Sequence, residues 1–233
     1  MAKSIGFLAV FLVTCSFASS YHVVCTNELI IFPSSPVVLV TGFEPFADFD
    51  INPSQIIVEE LQNQTVHGLQ VVGVVLPVNF TSADMILVQV LQHYQPFLMI
   101  SLGLSPKATT LEVETWAVNM KRYPLDSGRW SFPRKIEQDG PLLRLSSLNT
   151  RAVIRELKNH DIPSEQSFFA GTYLCNYVFY RAQSIVKTMD LSTHVGFIHV
   201  PLLDVQSQHG MKLQTMVDGV KVVIGLYSTS NSI

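Results

Sequence analysis

Short runs of β-branched and apolar residues recur along this chain with helix-patterned segments between them, and this alternation limits the fold more than any other feature. Val37-Val38-Leu39-Val40 is apolar throughout and bounded by Pro36 and Gly42, the pattern of a strand buried on both faces. Further strands are expected at Val71 to Val78, at Phe97 to Leu102 with Gly103 breaking it, at Ser167 to Ala170 and at Val195 to Val200. Asn52-Pro53-Ser54-Gln55 offers an N-cap, a Pro at the first helical position and a capping-box Gln, so a helix should run from there to about Gln62. Thr81 with Asp84 is expected to cap a second helix, and Asn149 or Thr150 to open a third ending near His160. Leu174 to about Val186 and Met211 to Leu226 complete the helices. Parallel strands require crossovers of this kind. The expected fold is therefore a three-layer α/β/α sandwich with a mostly parallel sheet, one domain over residues 37–233.

Composition narrows the function. With 15 Lys and Arg against 18 Asp and Glu, the net charge is -3, and no nucleic-acid partner is expected. Three cysteines are too few for a disulfide scaffold or a four-thiolate zinc site, and neither a metal nor a cofactor is expected. Residues 1–20 carry Lys3, an apolar run from Ile5 to Val13 and the small-x-small triplet Ser16-Phe17-Ala18, which fits a secretory signal peptide. The stretch from Ile5 to Ala18 is shorter than the ~20 residues of a membrane-spanning helix. Residues 21–36 read as an extended leader. The chain is thus expected outside the cytoplasm if this signal is used and in the cytoplasm if it is not. Asn63-Gln64-Thr65 and Asn79-Phe80-Thr81 are glycosylation sequons, which matter only in a eukaryotic secretory route.

Ligands of such sheets bind beyond the carboxyl ends of the strands, so reactive residues in those loops carry the most information. Cys175 follows the expected strand at Ser167 to Ala170 and the turn Gly171-Thr172, which puts it in the first turn of a helix where a thiolate is favoured. His199 lies 24 residues later, at the end of the next strand and before Pro201. One crossover separates the two, so adjacent strands would bring thiol and imidazole within reach. A third group must orient the imidazole, and Glu112, Glu114 and Asp126 are all candidates on spacing. His194 and His199 are five apart in one strand, face opposite ways and cannot share a metal.

Three segments carry a resemblance to a known family. They are Thr41-Gly42-Phe43-Glu44-Pro45-Phe46 followed by Asn52-Pro53-Ser54, then Gly171-Thr172-Tyr173-Leu174-Cys175-Asn176, then Gly196-Phe197-Ile198-His199-Val200-Pro201. In order and spacing they resemble type I pyroglutamyl peptidase (pyrrolidone-carboxylate peptidase), a cysteine peptidase family of phosphorylase/hydrolase-like α/β fold. The resemblance implies a Cys-His-Glu mechanism removing pyroglutamyl from blocked peptide N-termini, cytoplasmic location and homotetramers. It places the catalytic acid eleven residues after Gly103 and five before Asn119, on Glu114. It also implies an oxyanion site at Cys175 and Arg122, with Arg122 two residues nearer to Asn119 than is usual, and a substrate pocket using Phe43, Phe46 and Asn52.

Two departures bear on that pocket. Phe46-Ala47-Asp48 stands where the family has Phe-Gly-Gly, and Leu104 stands where it has a Gln able to hydrogen-bond the lactam. Two functions follow from different classes: a cysteine omega-peptidase, perhaps of shifted acyl specificity, or a binding protein for blocked N-termini that has lost turnover.

Overall fold

The computed structural model describes residues 13–17, 23–27 and 36–229. The expected signal peptide and leader lie outside the described residues except for Pro36 and two strands. These are β1 (Val13–Phe17) and β2 (Val23–Asn27), which pair antiparallel within a unit of their own, Met1–Ser34.

The second unit, Ser35–Ile233, holds the sandwich. In chain order it contains β3 (Val37–Phe43), α1 (Pro53–Leu61), β4 (Thr65–Val66), β5 (Leu69–Leu76), α2 (Phe80–Tyr94), β6 (Leu98–Leu104) and β7 (Leu111–Glu114). It continues with β8 (Trp116–Val118), β9 (Leu143–Leu145), α3 (Thr150–Asn159), β10 (Ser164–Ser167), α4 (Leu174–Thr188), β11 (His194–Val200) and α5 (Leu213–Thr229). Seven strands form the main sheet in the order β10-β7-β11-β6-β3-β5-β4, while β8 and β9 pair apart from it. All neighbours are parallel except β11 with β7 and β4 with β5. Among the described residues no helix is long and apolar enough to cross a membrane.

The apolar runs bury themselves as their pattern requires. Every residue of β3 and of β6 is buried. Val38, Val40, Ile100 and Ile198 face α1, α3 and α5, while Leu39, Met99 and Phe197 face α2 and α4. Each such side chain removed from water contributes about 1.5–3 kcal/mol, which is what holds helices on both faces.

Several local expectations change. Gly103 does not end its strand, since β6 runs through it to Leu104. β10 lies three residues earlier than expected. The polar Ser164–Ser167 makes the edge strand on β7, whereas Phe168 and Phe169 are exposed beyond it. Apolar content alone misplaced that strand, because pairing at a sheet edge is set by backbone register. β5 likewise lies at Leu69–Leu76, and α5 starts at Leu213. The cap of α2 is Asn79, which accepts from the Ser82 N–H, and Asp84 pairs instead with Arg181 at 2.7 Å. Asn52 caps α1 as expected through the Ser54 N–H, but Gln55 turns to Glu59 and closes no capping box.

Candidate active site

The strand order brings the reactive residues together. β11 lies between β6 and β7, so His199 is flanked by Gly103 on one side and by Glu112 on the other. Because β7 runs antiparallel to β11, Glu112 and Glu114 project from the same face as Phe197 and His199. The Glu114 carboxylate, 1% exposed, accepts a 2.7 Å hydrogen bond from His199 Nδ1. Phe197 lies under the imidazole with ring centroids 4.9 Å apart.

Cys175 reaches this imidazole from the first turn of α4. Gly171, at φ +79°, makes the tight turn before it. No side chain caps the helix start, so its first N–H groups have no intrahelical partner. Asn176, fully buried, pins the turn by donating to the carbonyls of Val118 and Met120 and accepting from the Val118 N–H. Gly103 then supplies the space, because a Cβ there would lie 2.7 Å from Cys175 Sγ and 2.8 Å from Phe197 Cζ. Gly103→Ala is therefore expected to displace the thiol and lower kcat on the order of 100-fold with the fold retained. An unchanged kcat with a cooperative, near-native melt would overturn this account of the glycine.

The electrostatics favour an imidazolium. Burial works against the charged ring, but the Cys175 thiolate and the Glu114 carboxylate, each hydrogen-bonded to it, outweigh burial and raise His199 from 6.5 to about 10. Glu112 is a further neighbour that sequence spacing could not rank. Burial pushes its carboxyl up, against the nearby imidazolium and a hydrogen bond with Ser105. Among the described residues, Glu112, Glu114 and His199 form the one cluster with metal-ligand spacing, their ligand atoms within 4.8 Å of one another. The hydrogen bond between the imidazole and the Glu114 carboxylate suits this cluster to proton transfer.

Beside the thiol lies a small cavity of about 20 Å³, lined by Phe43, Phe46, Val78, Leu104, Tyr173, Leu174 and Cys175. Phe43, Phe46 and Leu104 were expected there. Val78, Tyr173 and Leu174 were missed, although Tyr173 and Leu174 directly precede the nucleophile and were within reach of the sequence. The wall is almost entirely carbon, and Tyr173 and Cys175 are its only lining residues with a polar side-chain atom. Burial and the Cys175 charge raise the Tyr173 pKa, so its phenol remains a donor.

Neither Asn52 nor Arg122 is among the residues lining this cavity. Asn52 is buried behind the wall, donating to the Glu44 carbonyl and accepting from both the N–H and the hydroxyl of Ser54. It shapes the loop that carries Phe43 and Phe46 and does not line the cavity. Arg122 directs Nε to the Ser131 carbonyl at 2.8 Å, and its backbone N–H donates to the Thr172 carbonyl at 2.7 Å. Three residues after Asn119, it falls on a hairpin whose hydrogen bonds take up its Nε. A larger open groove lined by Glu137, Arg144 and Arg181 contains none of the three reactive groups.

A thiol at a helix start, an imidazole at a strand end and a buried carboxylate behind it define a cysteine-dependent hydrolase on an α/β scaffold. The sequence profile described as pyroglutamyl peptidase matches residues 37–229, and the chain belongs to that family. It is 41% identical over 165 residues to the pyrrolidone-carboxylate peptidase of Oceanobacillus iheyensis, covering 70% of this chain and 83% of the relative. The Thermococcus litoralis enzyme of that name is 38% identical over 166 residues, covering 70% and 76%. The solved structure of pyrrolidone carboxyl peptidase from Thermococcus litoralis superposes with a TM-score of 0.78 at 32% identity, covering 85% of this chain and 96% of that one. A Pyrococcus furiosus variant matches with the same TM-score and identity over 83% and 99%.

Proposed function

We propose that this protein hydrolyses the bond after an N-terminal pyroglutamyl residue, with Cys175 as nucleophile, His199 as proton carrier and Glu114 as the group that orients it. The observation carrying this reading is the hydrogen-bonded set of Cys175, His199 and Glu114 beside a carbon-lined cavity. The flat lactam ring sits among Phe43, Phe46 and Tyr173, with the exocyclic carbonyl carbon of the scissile peptide bond at Sγ. The thiolate adds to that carbon, and the N–H of Cys175 stabilises the oxyanion. His199 gives its proton to the leaving amine as the C–N bond breaks. Water, deprotonated by the now neutral imidazole, then cleaves the thioester, releasing pyroglutamate and restoring the ion pair. The binding-protein alternative rests on Leu104 alone and is not favoured, since the relatives at up to 41% identity are named as peptidases and Glu114 is bonded to His199.

The test is release of a fluorescent amine from a pyroglutamyl amide and from the open-chain glutamyl amide. Turnover of the first alone is expected. No turnover of either, with Cys175 still alkylated at a normal rate, would sink the reading. Leu104 presents only carbon to the lactam, so Leu104→Gln is expected to lower KM at least fivefold, the worth of roughly one added buried hydrogen bond. An equal or higher KM would show that the lactam is held by other groups. The signal-like leader supports action outside the cytoplasm, which N-terminal sequencing of the mature protein checks.

A further inference from the structure

We propose that the hairpin from Lys121 to Lys135 is a recognition flap for the leaving peptide, selecting pyroglutamyl substrates with acidic residues beyond the scissile bond. The inference rests on the function proposed above and names the substrate class within it.

The first observation is charge. Lys121, Arg122, Arg129, Arg134 and Lys135 are five of the chain's 15 Lys and Arg, and Asp126 is the one acid among them. This stretch is strongly cationic in a chain of net charge -3. Among the described residues, none of the five forms an ion pair within 4.0 Å. Lys121 lies over the rings of Phe80 and Tyr177, Arg134 lies over Tyr123, and Lys135 Nζ donates to the Gln138 carbonyl. The Arg129 side chain is exposed and has no partner among the described residues. Unneutralised like charges repel one another, so the segment favours an anion from outside.

The second observation is order and position. Lys121 and Arg134 exchange backbone hydrogen bonds of 2.7 and 3.0 Å, and the Leu125 N–H closes on the Arg129 carbonyl at 2.8 Å. Buried Ser131 accepts from the Tyr123 N–H inside the hairpin, and Asn119 fixes its base through the backbone of Ile136, Glu137 and Gly140. The flap abuts the nucleophile turn through the bond from Arg122 N–H to the Thr172 carbonyl. Its half-exposed Trp130 packs on Tyr173, ring centroids 5.4 Å apart, and Tyr173 is a wall of the acyl cavity.

The third argument comes from the substrate. A pyroglutamyl terminus carries no ammonium, so such a peptide lacks the N-terminal cation that would oppose a basic surface. An extended leaving peptide advances about 3.3 Å per residue. Its second to fourth residues therefore lie ~7–14 Å from the reacting carbonyl, the nearer of them within a Debye length of charge beside the nucleophile turn. Nucleic acid and anionic membranes would also feel this field. Contact between the flap and the acyl-cavity wall favours the peptide.

Steady-state kinetics decide the matter, using two pyroglutamyl peptides that differ only in Glu-Glu or Lys-Lys after the first leaving residue, with an uncharged pyroglutamyl amide as control. At low salt kcat/KM is expected to favour the acidic peptide by about tenfold, as several exposed pairs of modest strength allow, and the ratio should collapse near 1 M salt. Arg129→Glu should cut the ratio by about threefold or more, Arg129→Lys should keep it, and both should leave the uncharged amide at the wild-type rate. Equal kcat/KM for the two peptides, or a ratio indifferent to Arg129→Glu, would overturn the proposal. Binding to heparin or anionic vesicles with charge-blind peptide kinetics would overturn it as well. If the uncharged amide is not cleaved by the wild type, it is the proposed function that fails. Equilibrium binding of the same two peptides to Cys175→Ala then decides the flap by the same ratio.

Discussion

Cys175→Ala is expected to lose pyroglutamyl-amide hydrolysis by on the order of 10⁵- to 10⁶-fold, the scale on which a nucleophile acting within a catalytic unit is missed. The fold should survive. The thiol is half-buried in space left by Gly103, and α4 is held by buried Asn176 and by Tyr180, Phe179 and Val178, none of which touches the reaction. One physical consequence separates this variant from a merely unfolded one. The thiolate stands first among the influences that raise His199, so its removal should bring the imidazole down from about 10 toward 6.5. Titration of the His199 ring protons by NMR checks this beside the rate. Activity near the wild-type level would sink the thiol mechanism outright, and an unmoved His199 would show that Sγ does not face the imidazole.

Glu114→Gln is the second large effect. The carboxylate accepts the Nδ1 proton at 2.7 Å, whereas an amide can also donate and so hold the wrong tautomer. A loss in kcat of about 10² to 10⁴ is expected with KM little changed. The pH profile should move too, and its direction follows from the charges. Above its pKa His199 has no proton to give the leaving amine, so the wild-type basic limb falls near pH 10. Removing the carboxylate removes one support of the imidazolium, so the limb shifts to lower pH. Stability has the same sign. A pKa raised on folding stabilises the native state fully below pH 6.5, and the gain fades as pH rises to about 10. The variant should lose that gain from the upper end of the window first. Buried Oε2 of Glu114 has no partner, so an amide nitrogen placed there would cost a further 1–3 kcal/mol or so. A basic limb left in place would mean that Glu114 neither charges nor orients the ring.

Much of this was legible in the chain because it depends on local order. Val37 to Val40 declares a strand buried on both faces, and Asn52-Pro53 declares a helix start, since apolar period and cap chemistry act over a few residues. Cys175 and His199 were visible because a helix start and a strand end are both marked by turn residues. One separation was not visible from spacing. On spacing alone Glu112, Glu114 and Asp126 were equivalent, and only the antiparallel placement of β7 beside β11 sets Glu114 on the imidazole, with Glu112 next to it and Asp126 out on the hairpin.

The same division holds for the glycine and the asparagine. Gly103 looked like a strand breaker in one dimension, yet it is a gap in a continuous strand through which a thiol from a distant helix approaches. Asn52, read from sequence both as a cap and as a pocket residue, keeps the first role, with its hydrogen bonds used by Glu44 and Ser54. The amino-acid sequence by itself determined the layers, the nucleophile and its imidazole, because hydrophobic period, capping and motif order are properties of neighbours along the chain. The family motif had already pointed to Glu114; tertiary structure decided how that acid meets the imidazole, that Val78, Tyr173 and Leu174 join the cavity wall, and where the cationic hairpin lies. Those outcomes depend on strand order and register, and these arise from long-range packing that no short stretch of sequence encodes.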